Sequence, residues 1–94
     1  MENTMRPIHP GEVLLEEFMD PMGLTASTLA GVLHLEPECV TGIVRQERGI
    51  SPATALQLAS YFETTPEFWL DLQSAYDTRR ALLKRRRVLK RTLH

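Results

Sequence analysis

The sequence predicts an all-α protein, and three observations favour this class. Hydrophobic residues recur at intervals of three and four along most of the chain, which is the spacing of one helix face. Ser51-Pro52 and Thr65-Pro66 each place a capping hydroxyl before a proline, a pattern typical of helix starts. No segment alternates with period two for long enough to predict a strand. With 94 residues and 43% hydrophobic side chains, the chain can bury one modest core without disulfides.

The first predicted helix begins at Pro10 and ends at Asp20. Proline is favoured at the first helical position, and Glu12 lies in the first turn, where negative charge is stabilising. Pro21 is expected to end the helix, because proline lacks an N–H and collides with the preceding turn. The buried stripe of this helix comprises Val13, Leu14 and Phe18.

The stretch from Thr25 to Ser51 predicts two short helices joined by a tight turn. Thr25 is a suitable N-cap for the first helix, and Pro37 opens the second. The apolar face of the first helix comprises Leu29, Ala30 and Leu33, and that of the second comprises Val40, Ile43 and Val44. Helices this short need flanking helices to be stable in water. The arrangement is typical of a helix-turn-helix that reads DNA.

Two further helices follow, from Pro52 to about Phe62 and from Pro66 onward. The last one is rich in aromatic residues, and its apolar stripe is wider than a small domain needs for its core. Part of that stripe is therefore expected to form a subunit interface, although a tryptophan is more often a core residue. The predicted interface consists of Phe68, Trp69, Leu72, Gln73 and Tyr76.

Charge divides the chain into a predicted domain, residues 1–78, and a basic tail, residues 79–94. The domain contains all twelve acidic residues and three basic ones, which gives a net charge of -9, whereas the tail contains eight basic residues and no acid. The tail is expected to form an amphipathic helix that either continues from the aromatic helix or folds back near it. It either contacts DNA phosphates or neutralises the acidic domain of its own or a neighbouring subunit.

Composition and motifs argue against several other classes of protein. No apolar run approaches the length of a membrane span and no secretory leader is visible, so the chain is expected to be cytoplasmic. The single cysteine cannot form an internal disulfide, and it is expected to be a packing residue. The chain has no phosphate-binding glycine loop, nucleophile elbow or pair of metal ligands at helical spacing. We therefore expect neither an enzyme nor a metal or other cofactor.

Three segments resemble the HigA-type antitoxins of bacterial toxin-antitoxin modules, within the lambda-repressor-like helix-turn-helix class. They are MRPIHPGEVLLEEFMDPMGL, the central helix pair and TTPEFWLDLQSAYD, and together they cover residues 5 to about 78. The resemblance implies a five-helix domain that forms a homodimer through its C-terminal helices. It also implies binding to double-stranded operator DNA in the chain's own promoter, repression of that operon, and neutralisation of a HigB-like toxin that cleaves mRNA.

The polar face of the helix that opens at Pro37 is the predicted DNA-reading surface, and it departs from the usual pattern in having few basic residues. Arg45 is its one basic residue, and Glu38 can accept from cytosine but is repelled by phosphates. Gly42 is expected to let the helix approach the groove closely. The predicted DNA-binding residues are Ser27, Thr28, Glu38, Thr41, Gly42, Arg45 and Arg48. The alternatives are a protein-binding module that has lost DNA contact and a stand-alone transcriptional regulator without a toxin.

Overall fold

The computed structural model describes residues 6–92 as five helices without a strand. Helix α1 comprises three consecutive stretches, Pro10–Val13, Leu14–Met19 and Asp20–Met22, and α2 is Ala26–Leu33. Helix α3 is Pro37–Val44, α4 is Pro52–Phe62 and α5 is Pro66–Thr92. The all-α, five-helix prediction is thus confirmed. Within this part of the chain, no helix is both long and apolar enough to cross a membrane.

Helix α1 does not end at Asp20 as expected but continues through Pro21 to Met22. The central stretch Leu14–Met19 is a π-helix, and the Asp20 N–H donates to the carbonyl of Leu15, five residues earlier. This wider turn changes the hydrogen-bond register just before the proline, which relieves the conflict that a proline creates in a regular α-helix. Gly23 then ends the helix in the left-handed conformation, with φ 67°.

Helix starts follow the predicted capping chemistry. The Thr25 hydroxyl accepts the Thr28 N–H at 3.0 Å, and the Ser51 hydroxyl accepts the Thr54 N–H at 3.2 Å. The Thr65 hydroxyl accepts the Phe68 N–H at 3.1 Å. Each cap satisfies an N–H that the helix itself leaves without a partner, which contributes about 1 kcal/mol.

One hydrophobic core joins the helices, and Trp69 of α5 is its largest fully buried side chain. The predicted stripes of α2 and α3 lie in this core, apart from Val44, which is half-buried against it. Burying each large aliphatic side chain contributes roughly 1.5–3 kcal/mol, and this holds the two short helices in place. The core comprises Leu14, Met19, Leu29, Ala30, Leu33, Val40, Ile43, Ile50, Ala55, Leu58, Ala59 and Trp69.

Helix α5 is uninterrupted at the expected boundary between residues 78 and 79. Its 27 residues correspond to roughly 40 Å of helix, and the structure as a whole measures 52 × 23 × 22 Å. Residues 79–92 of the predicted basic tail therefore continue α5, and most of the side chains from Arg79 to Leu89 are exposed. Residues 1–5, Leu93 and His94 lie outside the described residues, and so does the end of the predicted tail.

Candidate nucleic-acid interface

Helices α2 and α3 are joined by the tight turn that the sequence predicts. His34 ends α2 in the left-handed conformation with φ 57°, and the Leu35 N–H donates to the Ala30 carbonyl at 2.9 Å. Pro37 then opens α3 as expected. The buried faces of the two helices pack into the core, so the polar face of α3 is directed away from it. This geometry leaves α3 available as a recognition helix.

Helix α1 lies very close to α3 because Gly11 has no side chain. A Cβ placed on Gly11 would overlap the backbone carbonyl of Ile43 and would lie 2.7 Å from its carbon. His9 caps α1, since its Nδ1 accepts the Gly11 N–H at 2.8 Å. The His-Pro-Gly segment at the start of α1 therefore supplies both a cap and the space that the recognition helix occupies.

The recognition helix and the loop after it form an open groove that brings together five of the predicted DNA-binding residues. Of these, Thr41 and Gly42 are the least exposed, and the charged side chains lie at the surface. The groove contains two arginines and two glutamates, so its formal charge is zero. Its lining consists of Pro37, Glu38, Thr41, Gly42, Arg45, Glu47 and Arg48.

The side chain of Arg48 packs over Gly42 in the recognition helix. A Cβ on Gly42 would lie 3.0 Å from Arg48 Nε and 3.1 Å from its Cγ. Gln46 adopts the left-handed conformation with φ 64°, and the chain then turns back so that the N–H groups of Glu47 and Arg48 both donate to the Gly42 carbonyl. Gly42 is therefore buried beneath Arg48, and a close approach of the helix backbone to DNA at this residue stays a prediction.

His9 connects this loop to α5. Its imidazole is only 3% exposed, lies edge-on to the Tyr76 ring at a centroid distance of 4.7 Å, and forms a hydrogen bond with the backbone of Arg48. Burial lowers the pKa of His9, and the hydrogen bond with Arg48 and the charge of Asp77 partly oppose this effect. The neutral imidazole thus holds α1, α5 and the loop after the recognition helix together.

Comparisons with known proteins identify the family to which the chain belongs. Antitoxin HigA-1 of Vibrio cholerae is 38% identical over 72 residues, covering 77% of this chain and 68% of that protein. The solved structure of antitoxin GraA is 48% identical with a TM-score of 0.83, covering 84% of this chain and 85% of the other. Antitoxin HigA of Pseudomonas aeruginosa, solved with the higBA promoter, is 38% identical with a TM-score of 0.85, covering 92% and 94%. The chain belongs to the HigA antitoxin family. No protein-family model matches it.

Ser27 and Thr28 of this HigA-family chain lie in the first turn of α2, outside the groove. Both are exposed. Thr28 takes part in the cap, because its N–H and its hydroxyl each pair with the Thr25 hydroxyl. Thr28 thus has a capping role, and a phosphate contact by Ser27 or Thr28 stays a prediction. Cys39 is half-buried and packs against the core, consistent with the expected packing role.

Two of the five residues predicted at the subunit interface form their hydrogen bonds within a single protomer of this HigA-family chain. Trp69 is 0% exposed, and its indole N–H donates to the Thr64 hydroxyl at 2.8 Å. This corrects the expectation of an interfacial tryptophan, because a fully enclosed side chain has no surface for a second subunit. Gln73 accepts the Ile50 N–H at 2.8 Å and donates to Asp77 at 3.1 Å. Gln73 therefore ties α5 to the segment between α3 and α4.

The other three predicted interface residues are partly accessible to solvent on α5. Phe68 is 38% exposed, and Leu72 and Tyr76 are half-buried. Leu72 and Tyr76 line an apolar groove between α5 and the start of the chain, to which Ile8 and Val13 also contribute. Ile8 is 46% exposed, so the apolar surface extends beyond α5. These residues form the candidate subunit surface of this family member.

Proposed function

We propose that this protein is an antitoxin and autorepressor that binds operator DNA in its own promoter and neutralises a ribonuclease toxin. The observation that carries the proposal is the groove of the recognition helix, where Thr41, Arg45 and Arg48 lie together on an exposed surface. The HigA structure solved with promoter DNA supports a DNA-binding role for a chain of this fold.

The groove contains side chains suited to both base edges and phosphates. Arg45 and Arg48 present guanidinium groups that pair bidentately with guanine or bind phosphate oxygens. The Thr41 methyl can contact a thymine methyl, and Glu38 can accept from the amino group of cytosine. The hydrogen bond between His9 and the Arg48 backbone places Arg48 at the edge of the groove, where its side chain packs over Gly42. Arg48 thus supplies a second guanidinium beside Arg45 for contact with a base or a phosphate.

We further propose a homodimer that places two recognition helices in successive major grooves. The candidate subunit surface, which includes Phe68, Leu72 and Tyr76 of α5, supplies apolar area for this association. Two-fold symmetry predicts an inverted-repeat operator with half-sites about 34 Å apart, one helical turn of DNA. Sedimentation at micromolar concentration tests this, and a chain that stays monomeric on its DNA would contradict it.

Neutralisation of the toxin is proposed to use the acidic surface of residues 1–78. A ribonuclease that binds RNA needs basic surface, and a domain with a net charge of -9 attracts such a partner at low salt. The antitoxin and the toxin are proposed to meet in the cytoplasm, where promoter DNA and mRNA are accessible. Co-purification with the toxin is expected to survive deletion of residues 79–94, and loss of the complex on that deletion would assign toxin binding to the basic tail.

The DNA-binding proposal is tested by titrating a labelled promoter fragment with the native protein and with Arg45→Ala. Arg85→Ala is the matched control, because Arg85 is also exposed but lies on α5 outside the groove. Arg45→Ala is expected to reduce discrimination between promoter and random duplex by about 1–3 kcal/mol, whereas the control retains it. A native protein that binds both duplexes equally would refute the proposal. Toxin binding without specific DNA binding would favour the protein-binding module. Specific DNA binding without toxin binding would favour the stand-alone regulator.

A further inference from the structure

A basic surface lies on α5, outside the recognition groove. Arg80, Lys84 and Arg87 are spaced by four and three residues, so they share one face of the helix, and all three are exposed. They line one side of a shallow groove whose other lining residues are Pro7, Asp77, Ala81 and Leu83. We call these three side chains the α5 basic face. With Asp77 included, this groove has a formal charge of +2, whereas the recognition groove has none.

Gln73 shows which way the α5 basic face is directed. It precedes Arg80 by seven residues, two helical turns, and therefore lies on the same side of α5. Its side chain accepts the Ile50 N–H at 2.8 Å, and a Cβ on Gly49 would lie 2.6 Å from the same oxygen. The loop that follows the recognition helix thus packs on the side of α5 that carries the basic face farther along.

A pair of aromatic rings forms a second connection between Arg48 and the α5 basic face. His9 bonds to the backbone of Arg48 and lies edge-on to Tyr76. The guanidinium carbon of Arg80 lies 5.6 Å from the centroid of the Tyr76 ring, a cation–π contact. These two rings connect the recognition loop to the first residue of the basic face. The recognition groove and the α5 basic face are therefore neighbours in the folded chain.

We propose that the α5 basic face binds the sugar-phosphate backbone of the operator beside the half-site read by α3. This inference rests on the proposed DNA-binding function and adds a second contact surface to it. Affinity for duplex DNA comes largely from neutralised phosphates, and a recognition groove with equal numbers of arginines and glutamates supplies little of it. The distance from Arg80 to Arg87 along the helix is about 10 Å, which corresponds to roughly three base-pair steps.

The experiment compares two double variants of the full-length protein that remove equal charge from opposite sides of the same helical turns. Lys84→Gln/Arg87→Gln alters the basic face, and Arg85→Gln/Arg86→Gln is the matched control, since both control side chains line a different groove with Leu82 and Leu89. All four residues are exposed, so helix content by circular dichroism is expected to match the native value. The conservative pair Lys84→Arg/Arg87→Lys retains both charges.

Affinity for the promoter duplex is measured between about 50 and 200 mM salt, where phosphate contacts dominate the salt dependence. Loss of the basic face is expected to flatten the slope of log K against log salt by about 0.9 unit per contact, up to roughly 1.8 per protomer. The control double and the conservative pair are expected to keep the native slope.

Two results would overturn the inference while leaving the proposed function intact. The first is a native slope in the Lys84→Gln/Arg87→Gln variant, which would assign these charges to another surface, such as the acidic domain of the second subunit. The second is equal flattening in both double variants, which would indicate only a general effect of net charge. Failure of the native protein to bind the promoter at any salt would instead refute the proposed function, and this inference with it.

Discussion

Replacing Gly11 with alanine tests whether the close approach of α1 to α3 holds the recognition helix in place. The added Cβ would overlap the Ile43 carbonyl and lie 2.7 Å from its carbon, whereas ordinary contact begins near 3.4 Å. The two helices must therefore move apart by at least several tenths of an ångström. Overpacking of this kind costs typically 1–3 kcal/mol, and here the obstacle is backbone rather than a flexible side chain.

Gly31→Ala is the matched control, because Gly31 is also helical but a Cβ there would meet nothing within 4 Å. Alanine is favoured over glycine in helices by about 1 kcal/mol, so the control is expected to be more stable than the native protein. Both variants replace glycine with alanine, so the difference between their stabilities cancels this gain. What remains is the packing cost at Gly11. Each kcal/mol corresponds to about 4–8 °C in Tm for a chain of this size.

Thermal unfolding followed by circular dichroism at one protein concentration measures both variants. The expected order of Tm is Gly31→Ala above native and native above Gly11→Ala. Because Ile43 belongs to the recognition helix, Gly11→Ala is also expected to weaken specific promoter binding at temperatures where it remains folded. A Gly11→Ala protein as stable as Gly31→Ala would refute the reasoning, since it would show that α1 and α3 separate without cost.

Three further predictions concern buried polar groups. Because burial lowers the pKa of His9, the unfolded chain takes up a proton first as pH falls below about 6.5, so stability is expected to drop until the folded-state pKa is passed. Urea unfolding at pH 7.5 and 5.5 should show a smaller drop for His9→Gln than for the native protein, and an equal drop would contradict this. Thr64→Val removes the acceptor of the Trp69 indole N–H and should cost roughly 1–3 kcal/mol in urea, whereas exposed Thr78→Val should cost little. Gln73→Leu should speed hydrogen exchange of the Ile50 amide but not that of Ala55, and unchanged exchange at Ile50 would count against the tie between α5 and this loop.

Local signals in the sequence were sufficient for the helix starts and for most of the core. A capping hydroxyl and a proline act within one turn, so Ser51-Pro52 and Thr65-Pro66 could be interpreted without knowing the fold. The same locality explains the error at Pro21. Proline usually ends a helix, but a π-helical stretch immediately before it can accommodate the ring, and no residue type signals that change of register.

The roles of Trp69 and Gln73 could not be predicted, because both depend on which segment α5 packs against. An apolar stripe indicates that a helix face is covered, but the stripe is the same whether the cover is the protein's own core or a second subunit. Gln73 bonds to a backbone group 23 residues away, and one polar residue on a helix face carries no sign of such a partner. The burial of Trp69 and the hydrogen bond between Gln73 and Ile50 depend on how the helices pack, so only the tertiary structure shows them.

The sequence alone determined the all-α class, the helix-turn-helix pair and the separation of charge between domain and tail, because these depend on periodicity, capping and composition. Only the tertiary structure decided that Arg48 covers Gly42, that His9 joins the recognition loop to α5, and that the basic tail continues that helix. The physical reason is the range of the interactions. Helix signals act between residues a few positions apart, whereas these contacts arise where α1, α3 and α5 are packed against one another by the burial of a shared core.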